Sequence, residues 1–231
     1  MKALPLVAFL LCAAAPPVTF TPLAPDYEET ADFYRDFWQD EGARIIAALE
    51  RESGFAFPDR PLEIILRDGP PMTGYGCTAI RLRGTYAGPV AVGTLIHELG
   101  HCLTAQMPRT AGLDDHRMLY LFLYDAWTQL YGQAFADRMV RLERRIPGRY
   151  DYDAAWRWAL SMTREERQAR LRQLARIRQD PTSPGQQGRT ATSLVIPAEA
   201  GTHELGSWPT GDERIAPHSW NSGHGSRPPP G

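Results

Sequence analysis

Residues 94–107, TLIHELGHCLTAQM, set two histidines and a glutamate into a chain segment that is otherwise apolar or small. Leu95, Ile96, Leu99 and Leu103 give it helical periodicity, Thr94 is placed to cap its start, and Pro108 stands just past its end. A helix apolar on nearly every face has to be enclosed, so whatever fold this chain adopts must wrap around this segment. His97, Glu98 and His101 are then carried into the interior, where ionisable groups are costly without partners.

The neighbouring sequence supplies what can do the enclosing. Residues 27–53 carry Phe33, Phe37, Ala43, Ile46, Ala47 and Leu49 in a helical stripe. Leu62–Leu66 reads as a short strand closed by Asp68-Gly69-Pro70-Pro71, and 72–77 reads as a loop. Thr78–Arg83 alternates and suits an edge strand with Arg81 and Arg83 facing water, with Gly88-Pro89 as a break after it. Downstream, helices are predicted over 114–131, 133–145, 153–160 and 163–178, with Gly132 dividing the first two and Thr163–Glu166 forming a capping box. One helix, a few strands, then mostly helix makes a small α+β domain over residues 26–179.

Both ends read differently. Residues 1–15 join Lys2 to an apolar run ending in small residues, too short to span a bilayer once mature, so 1–20 is predicted to be an export signal, with an uncleaved anchor as the alternative. Export removes Cys12 and leaves Cys77 and Cys102, which an oxidising compartment would join in one disulfide; two buried thiols are the alternative. Residues 180–231 hold 8 of the 20 Gly and 8 of the 20 Pro, lack periodicity and are predicted to form a disordered tail. The formal charge of −2 and the absence of a basic stripe exclude a nucleic-acid-coating protein. No stable membrane insertion is expected after signal cleavage, and oligomeric state is left open.

The spacing of the two histidines has a chemical use. Residues i and i+4 share a helix face, so His97 and His101 can bind one metal ion while Glu98 reaches a water on it. Chance produces such a pattern in a chain of this composition in about 1% of cases. Imidazoles suit Zn²⁺, and a catalytic zinc takes three protein ligands and keeps a position for water. Gly100 would let another element pack close to this helix.

The stretch Thr94–Leu103 resembles the active-site helix of zincin metallopeptidases, nearest to the SprT-like or minimal gluzincin-like groups. That resemblance implies a short mixed sheet packed on the motif helix, an edge strand lining a substrate cleft, a peptide or protein substrate, Zn²⁺ as cofactor and Glu98 as general base. The third ligand separates the groups. Thr104 and Met107 stand where the extended metzincin form needs Gly and His, which excludes it, and Gln133…Asp137 lacks the Glu of an ExxxD pattern. Of the six histidines, three lie in the tail and two in the motif, leaving His116. His116, with Tyr120 four residues on, looks like the third ligand of SprT-like zincins; Asp125 and Asp137 are the alternatives, and Asp125 could instead orient a ligand imidazole. Tyr120 and Tyr124 could donate to an oxyanion, but Leu119, Tyr120, Phe122, Leu123 and Trp127 read more simply as core, as do Trp156 and Trp158. The Arg-rich helix 164–178 reads as a solvated amphipathic helix. The expected activity is exported zinc-dependent peptide hydrolysis; a non-catalytic zincin-like module binding a peptide or an envelope partner is the rival.

Overall fold

Leu62, Ile64 and Leu66 alternate with less buried neighbours along β2 (Leu62–Arg67), and this strand sits inside a four-stranded sheet. The computed structural model describes residues 16–109 and 113–179. The sheet order is β1 (Val18–Pro22), β2, β4 (Ala79–Arg83), β3 (Met72–Thr73). β1 and β4 pair parallel to β2, with Phe20 and Ile80 both opposite Ile64, while β3 pairs antiparallel to β4. Phe20, Ile64, Ile80 and Leu82 are buried, and α1 (Glu28–Ser53) and α2 (Gly88–Thr104) pack against the sheet.

Several sequence expectations change here. The fold is α+β, as expected, but the folded unit begins before residue 26: β1 lies at 18–22 and overlaps the segment assigned to export through residue 20. A five-residue strand that follows Pro17 and ends at Pro22, with Phe20 its one buried residue, carries little periodicity to read. Thr78–Arg83 is not an edge strand; β4 is flanked by β2 and by β3, which the sequence disguised as loop because it is two residues long. The α1 stripe is also rotated from the one read in sequence: Tyr34, Ile45 and Ala48 are fully buried and Ala43 is exposed.

The largest revision concerns α2. It starts at Gly88, not near Thr94, and Thr94 is fully buried in its middle and caps nothing. Gly88-Pro89 is the first turn of the helix and not a break, because proline at the start lacks only an N–H that would have had no helical partner. From Ala91 to Gly100 every residue is buried.

The helical half encloses α2 from the other side. The expected helix 114–131 is two, α3 (Asp115–Tyr120) and α4 (Leu123–Tyr131), with Phe122 at φ −136° between them. Met118 to Leu123 are all fully buried, so packing on every side decides the break over local propensity. Asp114 caps α3 by accepting from the Arg117 N–H at 2.8 Å. Gly132, at φ 83°, divides α4 from α5 (Gln133–Glu143) where the sequence placed the division. α6 (Tyr152–Leu160) and α7 (Arg164–Gln179) follow. The capping box is formed: Thr163 N–H donates to Glu166 at 2.7 Å and Glu166 N–H to the Thr163 hydroxyl at 3.2 Å. Leu119, Tyr120, Phe122, Leu123, Trp127 and Trp156 are core, and Trp158 is partly buried against it. The signal over residues 1–15 and the tail over 180–231 lie outside the described residues.

Cys77 and Cys102 form a disulfide, which fastens the turn after β3 to the last turns of α2.

Candidate metal centre

Two helices of opposite character build the site. α2 contributes His97, Glu98 and His101 from a helix with no polar face, and α3 contributes His116 from its first turn. Gly100 lets α3 pack closely: a Cβ there would stand 2.4 Å from Leu119 Cδ1, so any larger residue would require the Leu119 side chain to move. His97, His101 and His116 converge, each offering a ring nitrogen within 4.8 Å of the others, and this cluster can hold a metal ion. His97 and His101 face each other through their Nε2 atoms at 3.2 Å. His116 stands edge-on to His101, with ring centroids 5.0 Å apart. His97 and His116 are buried; His101 is half-buried, so the cluster meets the surface on its side.

Asp125 does not join this cluster. Its carboxylate takes a two-pronged ion pair from Arg167 of α7, at 2.7 and 3.0 Å, and both side chains are buried. It therefore orients no imidazole either. Asp137 accepts from the Tyr124 hydroxyl at 2.9 Å on a half-buried part of the surface, which removes both from the metal site. The solvated reading of α7 is corrected at Arg167, whose guanidinium also donates to the Met162 carbonyl at 2.6 Å.

Glu98 is buried and pinned on one side. The Thr73 hydroxyl on β3 lies 2.7 Å from Glu98 Oε2 and 2.8 Å from the Glu98 carbonyl oxygen. Glu98 Oε1 is buried with no hydrogen-bond partner. Burial pushes the Glu98 carboxyl up to about 7, with nearby Glu143 adding to the rise and His97 and the Thr73 bond opposing it.

Three residues to which the sequence assigned no role, Glu143, Tyr150 and Tyr152, complete the surroundings. Glu143, at the end of α5 and fully buried, accepts from His97 Nδ1 at 2.7 Å through one oxygen and from the Trp156 indole N–H at 2.8 Å through the other. Burial alone would lower His97, but the Glu143 charge and hydrogen bond outweigh it and the imidazole is raised. Tyr150 and Tyr152 stand against His116 at 4.5 and 4.9 Å between ring centroids, and the Tyr150 hydroxyl donates to Asp114 at 2.6 Å. Tyr120 is stacked on Trp156 at 3.7 Å and Tyr124 is engaged by Asp137. A lone Glu at a helix end, forty-six positions from its partner, gives no local signal; a second carboxylate for a buried motif histidine was the one thing to look for.

Among the described residues no helix is long and apolar enough to cross a membrane. Comparison with protein-family models, with curated proteins and with solved structures finds no match to this chain.

Proposed function

We propose that the chain is an exported zinc-dependent metallopeptidase of zincin type, with His97, His101 and His116 as the metal ligands and Glu98 as the general base. The observation that carries this reading is the convergence of three imidazoles beside a buried carboxylate oxygen, Glu98 Oε1, that has no partner of its own. An all-imidazole donor set suits zinc, and a divalent cation would balance the two buried carboxylates, Glu98 and Glu143. Bound zinc supplies a water of lowered pKa and polarises the carbonyl under attack. The chain's own residues do the rest. Thr73 holds Oε2, so Oε1 is the oxygen that takes the proton from the attacking water and passes it to the leaving amine. β3 stands at the sheet edge beside Glu98, where an extended peptide can add as a further strand and bring its backbone to the site. The Cys77–Cys102 disulfide favours an oxidising compartment, in keeping with export.

The test is Glu98→Gln in the full chain, with metal content and peptide hydrolysis measured together. Full zinc occupancy with turnover reduced at least a thousandfold is expected; unchanged turnover at full occupancy would sink the mechanism. A wild-type protein that holds zinc and cleaves nothing in a broad peptide library would favour the non-catalytic module.

A further inference from the structure

We infer that Glu143 is a positioning residue for the metal ligand His97 and that Trp156 holds it in that role. The inference rests on the metal-site reading above and concerns residues outside the motif.

A neutral imidazole carries one N–H and one lone pair, and only the nitrogen with the lone pair can bind a metal. His97 turns Nε2 toward His101 and Nδ1 toward Glu143. An ionised carboxylate only accepts, so Glu143 draws the hydrogen to Nδ1 and leaves the lone pair on Nε2, facing the cluster. The bond is 2.7 Å long and both side chains are about 1% exposed, so water does not compete for it. The second carboxylate oxygen is taken by Trp156 Nε1–H, which prevents the group from rotating away. Trp156 is itself fixed, stacked on Tyr120 at 3.7 Å and 14°.

The helix packing is arranged for this contact. A Cβ on Gly93 would stand 2.3 Å from Met139 Sδ, so α5 lays the Met139 side chain directly on the α2 backbone there. Four residues further along each helix, on the same two faces, stand His97 and Glu143. The small residue at 93 is one turn from the ligand it serves. The helical half of the chain, which the motif alone does not require, thus reaches back to set the orientation of the first motif histidine.

Glu143→Gln separates positioning from bulk. Glutamine puts an NH2 donor in place of one of the two carboxylate oxygens, so one of the donors His97 and Trp156, which meet different oxygens, loses its acceptor. Zinc affinity of the full chain, measured by competition with a chromophoric chelator, is expected to fall 10–100-fold while the melting temperature of the metal-free protein changes little. The visible absorption of the Co²⁺-loaded variant should shift, since the geometry of one ligand changes. Affinity within twofold of wild type with an unshifted Co²⁺ spectrum overturns the inference. If the variant does not fold, Trp156→Phe decides: it keeps an aromatic ring at the position and removes the N–H, affinity should fall severalfold, and an unchanged value overturns the inference. A wild-type chain that binds no zinc removes this inference together with the metal-site reading. Zinc binding weakened by Glu143→Gln, with hydrolysis unaffected by Glu98→Gln, leaves this inference standing and removes the peptidase reading alone.

Discussion

The Thr73 hydroxyl lies 2.7 Å from one carboxylate oxygen of Glu98 and 2.8 Å from the Glu98 carbonyl oxygen, so a single side chain on β3 ties the edge strand to the motif helix at the residue proposed as the general base. With one hydrogen to give, the hydroxyl selects which carboxylate oxygen is held and which stays available. Replacing it with valine keeps the shape and removes the bond. A hydrogen bond to a charged group contributes about 1.5–3 kcal/mol. Thr73→Val should therefore lower kcat by about 10–100-fold with zinc content unchanged, and Thr73→Ser should restore most of it. Steady-state kinetics on the three proteins checks this; equal kcat in wild type and Thr73→Val would show that the bond does not orient the base.

The disulfide stabilises the same edge from the other side. Cys77 follows β3 by a few residues and Cys102 follows His101 directly, so the bridge closes the loop that contains β4 and most of α2. A loop of that size corresponds to about 3 kcal/mol from restriction of the unfolded chain. Cys77→Ser with Cys102→Ser should lower the denaturation midpoint accordingly, without a change in zinc stoichiometry. Urea titration of the oxidised and double-variant proteins measures it; coincident midpoints would mean that the bridge contributes nothing.

Asp125 and Arg167 give a contrasting test, because Asp125 was a candidate ligand on sequence grounds. Both are buried and each is the counter-charge of the other, so Asp125→Ala leaves a guanidinium without its counter-charge at a cost of about 3–5 kcal/mol. Thermal unfolding should show a large loss of stability, while the folded fraction still binds one zinc per chain. Loss of zinc with stability preserved would return Asp125 to the metal site.

What could be read from the sequence follows from which contacts are local. His97, Glu98 and His101 sit at fixed spacing on one helix, and the capping box of α7 lies within four residues, so both were legible. Gly132 marked the division between α4 and α5 because a positive φ favours glycine. Long-range choices left no such mark. Arg167 lies among many arginines, and only the packing of α7 on α4 selects it for Asp125. Glu143 meets His97 where α5 packs on α2, with Met139 lying on Gly93 one turn earlier, and no periodicity connects positions 93, 97, 139 and 143 across two separate helices. The start of α2 was misplaced for a different reason: Gly-Pro signals a break by composition, yet it serves at the first turn of a helix as readily.

His116 carries the last prediction, on metal removal. It is buried on α3, where Asp114 caps the helix start and accepts from the Tyr150 hydroxyl, and Tyr150 and Tyr152 press on its ring. These contacts hold it in place whether or not metal is present, so the cluster is preformed, and the zinc proposed for it would bind the folded state selectively. A ligand present at a thousand times its dissociation constant then adds about 4 kcal/mol to stability. Chelation should lower the melting temperature of the wild-type chain by several degrees, and readdition of zinc should restore it. His116→Ala should melt near the metal-free wild type and gain little from zinc, because two imidazoles of one helix make only half of a tetrahedral site. Scanning calorimetry of both proteins, with and without chelator, checks the pair. A zinc-dependent gain in His116→Ala equal to that of wild type would exclude His116 from the ligand set and leave the third position to another group.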